Sequence, residues 1–170
     1  ICLTTNFNLN AQTIHLFMVI EEGVESPASL TDKRLMSAEV EQIGRLTGME
    51  VKKYVFEKQN RNILNALRNL NTGSDDVVWF YYSGHGRNSA IDEWPQFTGA
   101  MEYELSDIHD VIKSKNGRLK ITMYDCCNIT SSSNGIASRP LPTAQYNFLF
   151  KQAQGDIKIC SSEKSKFSYG

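Results

Sequence analysis

Two short stretches carry side chains able to do nucleophilic chemistry: Ser83-Gly84-His85-Gly86 and Asp125-Cys126-Cys127-Asn128. A cysteine attacks as its thiolate, and a neighbouring imidazole lowers the thiol pKa or removes its proton. Gly84 and Gly86 have no Cβ, so a substrate backbone can approach His85 closely, and the Gly86 N–H can point at a developing oxyanion. Taken singly, a histidine beside glycine is an ordinary loop residue and a cysteine on an apolar strand is ordinary core. Together at matching strand ends they predict a Cys-His pair. Strand alternation sends Cys126 and Cys127 to opposite sides, one packed and one exposed, and spacing leaves open which is which. Zinc is disfavoured by the same residues, because adjacent cysteines rarely ligate one ion and no CxxC or HxxxH spacing exists. Glu21-Glu22-Gly23-Val24-Glu25 lacks a glycine-rich phosphate cradle and carries the wrong charge for one.

These residues need strands to present them. Thr13 to Ile20 is a compact apolar run, the pattern of a buried strand, and Met36, Val40, Ile43 and Leu46 then recur at helical spacing before a Gly48 stop. Met49 to Phe56 predicts a second strand, and Ile63, Leu67 and Leu70 a second helix closing at Asn71-Thr72-Gly73. Asp76 to Ser83 is β-branched and aromatic almost throughout, which predicts a central third strand. Arg87 to Tyr103 reads as a loop or small hairpin. Leu105, Ile108, Val111 and Ile112 predict a helix stopped by Asn116-Gly117, and Leu119 to Asp125 a fourth strand. Serines and prolines make Ile129 to Pro142 a surface loop. A short helix around Tyr146 to Phe150 leads to a fifth strand, Ile157 to Cys160, and a polar loop from Ser161 to Gly170. Alternating strands and helices predict an α/β domain, with a mainly parallel central sheet and helices on both faces. Chemistry in such sheets sits beyond the carboxyl ends of the strands, where both motifs fall.

The rest of the composition narrows the function. The chain has 170 residues with 18 Lys+Arg against 19 Asp+Glu and formal net charge -1. No basic block exists, so nucleic acid and anionic membranes are not expected partners. The longest apolar runs, Leu16 to Ile20 and Val77 to Tyr82, fall far short of the roughly 20 residues of a membrane-spanning helix. A chain of this length buries roughly 70% of its unfolded surface and needs no disulfide framework. Asn10-Ala11-Gln12 before the first strand resembles the end of a bacterial secretory signal. Residues 1–12 are thus expected to be a signal remnant or an N-terminal arm, giving a secreted or periplasmic protein in the first case and a cytoplasmic one otherwise.

Tyr82-Ser83-Gly84-His85-Gly86 followed by Asp125-Cys126-Cys127-Asn128, each ending a strand of a parallel sheet, resembles the caspase-like cysteine peptidases of family C14, and among them the bacterial and metacaspase branch. Ser29-Leu30-Thr31-Asp32 resembles the family's Cys-x-x-Asp element. Ser161-Ser162 through Ser168-Tyr169-Gly170 looks like the loop after the fifth strand. The resemblance implies a three-layer caspase-like fold over residues 13–170, with a final strand and helix supplied by a second chain, or small subunit, that completes the sheet. It implies Cys127 as nucleophile, His85 as its partner, and an oxyanion site at the N–H groups of Gly86 and Cys127. Asn128 stands where the family has His, and Ser29 where it has Cys. The acidic run that binds calcium in many metacaspases has no clear counterpart between Arg87 and Tyr103, so no cofactor or metal is expected.

A specificity expectation follows. Asp125 shares the direction of Cys127 by strand alternation, and Asp32 follows the first strand at the same sheet edge. In the resembling metacaspases the matching pair lines a pocket for a basic side chain, and Ser83 lies beside it. Asp32 also suits the cap of the helix leading to Met36. The expected activity is endopeptidase cleavage of a peptide or protein after Arg or Lys, from a zymogen activated by chain cleavage. The alternative is a catalytically inactive caspase-like binding module.

Overall fold

The computed structural model describes residues 12–22, 27–91, 93–126, 143–162 and 164. Five strands form one parallel sheet: β1 (Thr13–Ile20), β2 (Glu50–Glu57), β3 (Val77–Ser83), β7 (Leu119–Asp125) and β8 (Gly155–Cys160), in the order β2-β1-β3-β7-β8. Every residue of β1 and β3 is buried, whereas β2 and β8 leave residues exposed along their length. Apolarity on both faces thus selects the interior positions.

Alternation sorts the side chains into two cores. Leu16, Met18, Trp79 and Ile121 pack with Val40 and Ile43 of α1 (Pro27–Thr47) and with Tyr146 and Phe150 of α4 (Thr143–Lys151). Phe17, Val78, Phe80 and Tyr124 pack with Ile63 and Leu67 of α2 (Ile63–Arg68) and with Leu105, Ile108 and Ile112 of α3 (Leu105–Lys113). The result is the expected three-layer α/β fold.

The chain departs from its sequence pattern in four places. Arg87 to Tyr103 is a three-stranded antiparallel sheet, β4 (Arg87–Asn88), β5 (Pro95–Thr98) and β6 (Glu102–Glu104), and not a loop or single hairpin. Its aromatic residues hold it down: Phe97 stacks on Tyr82 with centroids 4.1 Å apart, and Tyr103 stacks on Phe97 at 4.7 Å. Helix α1 starts at Pro27, a residue suited to a first turn, so Asp32 lies inside the helix and does not cap it. Leu46 is exposed while Thr47 is buried, its hydroxyl donating to the Ile43 carbonyl at 2.7 Å. Finally, α2 ends at Arg68, leaving Leu70 after the helix as partly buried packing. The expected loop at 129–142 and most of the final polar loop lie outside the described residues.

Candidate active site

The sheet changes direction of growth at β1: β2 lies on one side and β3 on the other. Ligands of open α/β sheets bind beyond the strand ends at such a switch point. Ile20 at the end of β1 pairs with Ser83 at the end of β3, and Ser83 pairs with Asp125 at the end of β7. The register therefore aligns both motifs at one edge. Two backbone bonds tie the edge together: the Glu21 N–H donates to the Ser83 carbonyl at 3.0 Å, and the Gly84 N–H to the Asp125 carbonyl at 3.3 Å.

His85 leaves this edge with its side chain 44% exposed, over the carboxylate of Glu21, whose side chain is only 12% exposed. One oxygen, Glu21 Oε2, accepts from the His85 backbone N–H at 2.6 Å and lies 3.0 Å from His85 Nδ1. The other, Oε1, accepts from Lys58. Burial by itself raises the Glu21 carboxyl pKa, but the hydrogen bonds from Lys58 and His85 outweigh it and the net pKa is lowered. Glu21 is thus a firmly ionised carboxylate. Below it, the Tyr82 hydroxyl donates to the His85 carbonyl at 2.7 Å. Burial first, then the Cys126 and Glu21 charges, push the Tyr82 pKa well up and keep it a donor.

Gly84 makes this packing possible. Its φ is +156°, and a Cβ there would lie 2.6 Å from Glu21 Cβ, 2.6 Å from the Tyr82 hydroxyl and 2.7 Å from Glu21 Oε2. No side chain fits between the strand end and the carboxylate.

A second cluster forms on the α1 side of the same edge. The Ser83 hydroxyl donates to Asp32 Oδ2 at 2.6 Å, and the Tyr81 hydroxyl is hydrogen-bonded to the Asp125 carboxylate. Desolvation raises the Asp32 pKa, the Ser83 hydrogen bond opposes the rise, and the Asp125 charge adds to it; the net shift is upward. Burial and the same two carboxylates raise the Tyr81 pKa. The Asp125 carboxylate thus lies close enough to Asp32 to disfavour its ionisation, a repulsion that an incoming cation would relieve.

Asp32, Ser83 and Asp125 are therefore brought together, and His85 and Gly86 stand at the end of β3. Cys127 lies outside the described residues. Cys126 is 3% exposed and packs in the α2 and α3 core, with its N–H on Ser161 Oγ at 3.1 Å and its carbonyl accepting from Ser162 Oγ at 2.8 Å. A further thiol, Cys160 on β8, is drawn down to about pKa 7 by a hydrogen bond with Cys126, against burial, with Ser162 assisting. Glu102 is engaged by Arg87, and among the described residues no group of three or more His, Cys, Asp or Glu could hold a metal ion.

Sequence reasoning passed over Glu21, Lys58, Tyr82 and Cys160. For Glu21 a signal existed: an acid directly after the apolar run Leu16 to Ile20 stands at the carboxyl end of its strand, as His85 does.

A five-stranded parallel sheet flanked by helices, with its switch point against a Gly-His-Gly turn, is an α/β domain of the caspase-like kind. The family model for the caspase domain of peptidase family C14 matches residues 25–168, and the chain belongs to that family. In general chemistry it is a cysteine peptidase domain, a hydrolase. Comparison with curated proteins finds no match.

Proposed function

We propose that this domain is a metacaspase-type endopeptidase cutting after Arg or Lys, with Cys127 as nucleophile and His85 as general acid and base. The observation that carries the basic specificity is the pairing of Asp32, held by Ser83 at 2.6 Å, with Asp125 across the register from Ser83. A guanidinium placed there meets two carboxylates and engages both through its planar fork, so Arg is favoured over Lys and Asp is repelled.

The thiol of Cys127 passes its proton to His85, and the thiolate attacks the scissile carbonyl carbon. The N–H groups of Gly86 and Cys127 stabilise the tetrahedral oxyanion. The C–N bond breaks as the imidazolium returns its proton to the leaving amine, leaving a thioester. Water, deprotonated by His85, then attacks the thioester; the C–S bond breaks, the carboxylate product leaves, and the thiol is restored.

We also read the protein as a zymogen activated by cleavage, with a second polypeptide completing the sheet beside β8. Among the described residues β8 pairs only with β7, and Ile159 on it is 39% exposed. Intact mass of the wild type against Cys127→Ala tests self-processing, which predicts a cut wild type and an uncut variant; identical masses contradict it.

A peptidyl-Arg probe with a thiol-reactive end, read by peptide mass mapping, tests the nucleophile. Label on Cys127 is expected, blocked by an excess of Arg peptide. Label confined to Cys160 or Cys126, or none, favours the inactive binding module.

A further inference from the structure

We propose that Glu21 is a positioning residue for His85, fixing its ring so that Nδ1 carries the proton and Nε2 exchanges protons with thiol and leaving group. This rests on the reading of His85 as general acid and base. Its ground is geometric. A single carboxylate oxygen bridges the backbone N–H of His85 at 2.6 Å and Nδ1 at 3.0 Å. Nδ1 is the ring nitrogen nearer the backbone, so only that nitrogen can share an acceptor with its own N–H. The carboxylate accepts, so Nδ1 must donate, and in the neutral ring the lone pair is left on Nε2.

The surroundings hold Glu21 in this pose. Lys58 occupies Oε1, leaving Oε2 to His85, and the Lys58 N–H donates to the Ile20 carbonyl at 3.0 Å beside the root of Glu21. The Glu21 N–H is itself fixed on Ser83. Gly84 vacates the space that a Cβ would take from the carboxylate. When the ring becomes imidazolium on taking the thiol proton, Nδ1 keeps its proton on Glu21 Oε2, so one carboxylate holds the ring in the same orientation through both steps.

The test uses the full chain with ¹⁵N-labelled histidine. Long-range ¹⁵N–¹H spectra above the imidazole's titration range, with His85 assigned by loss of its signals in His85→Gln, are expected to show the proton on Nδ1 in the wild type. A proton on Nε2 overturns the proposal, and this reading needs neither a Glu21 variant nor peptidase activity. In Glu21→Ala the proton is expected to move largely to Nε2; an unchanged tautomer overturns the proposal. On an Arg peptide, Glu21→Ala is expected to lower kcat on the order of a hundredfold with KM nearly unchanged. Glu21→Gln keeps an acceptor oxygen for His85 but turns its amide NH2 toward Lys58, and is expected to recover part of that loss. Equal losses in the two variants, or a loss confined to KM, contradict a positioning role. A wild type that cleaves nothing while holding the Nδ1 proton would refute the proposed function and uphold the positioning of His85.

Discussion

Gly84 is the residue on which the edge depends most sharply. Its φ of +156° disfavours any side chain, and a Cβ would meet Glu21 and the Tyr82 hydroxyl at 2.6 Å. Gly84→Ala is therefore expected to cut kcat on an Arg peptide by at least tenfold by displacing the carboxylate under His85, with a melting temperature lowered by several degrees. Steady-state kinetics beside a thermal melt checks both. Asp125 and Asp32 set a different balance. Asp125→Ala is expected to lower kcat/KM for an Arg substrate by about tenfold to a thousandfold, as when a paired buried charge is lost. Asp32 has a raised pKa in the fold, so its ionised form opposes folding once pH exceeds the unfolded carboxyl value of about 4. Asp32→Asn, which can still accept from Ser83, is expected to raise the melting temperature near pH 7 while lowering kcat/KM for Arg. A variant both less stable and fully active would contradict this division between stability and function.

At the scale of elements, the register of β1, β3 and β7 does the positioning, and its other end can be tested apart from the site. Asp76, just before β3, accepts from the Thr13 N–H at 2.9 Å and the Gly73 N–H at 2.7 Å, and lies 3.1 Å from His15 Nε2. It clamps the start of β1 to the start of β3, a full strand length from His85. Asp76→Ala is expected to cost about 2 to 4 kcal/mol, with kcat on a peptide unchanged below the melting range. Denaturant unfolding with matched kinetics decides it, and a large kcat loss would mean the two sheet edges are coupled. These strands were legible from sequence because burial on both faces leaves an unbroken apolar run, as in Leu16 to Ile20 of β1 and Val77 to Tyr82 of β3. The small antiparallel sheet was not, since β4 spans only Arg87–Asn88 and its cohesion comes from Phe97 stacking on Tyr82 and Tyr103 on Phe97, contacts that no local pattern announces. The start of α1 was hidden too, because Pro27 begins the helix nine residues before Met36, its first apolar residue packed against the core.

Over the whole molecule, the His-Gly turn and the acidic pair were legible as types at matching strand ends, whereas the Glu21–His85 bridge depends on the order of strands in the sheet. No local pattern says that β1 and β3 are neighbours, and only that adjacency brings Glu21 beside the histidine. The bridge also gives the molecule a pH signature. Glu21 has a lowered pKa in the fold, so its stabilising contribution is complete above the unfolded carboxyl value of about 4.3 and is lost as pH falls through the lower folded value. Melting temperatures from pH 6 downward are expected to fall less steeply in Glu21→Gln than in the wild type, and parallel curves would contradict the ionised bridge.

The central claim is hydrolysis after basic residues by Cys127 with His85. A panel of fluorogenic peptides identical except for Arg, Lys, Asp or Ala before the scissile bond, run on the wild type and on folded Cys127→Ala, tests it most directly. Cleavage of the Arg peptide fastest, Lys next, Asp and Ala negligibly, and none by Cys127→Ala is predicted. Preference for Asp, or undiminished cleavage by Cys127→Ala, would contradict it.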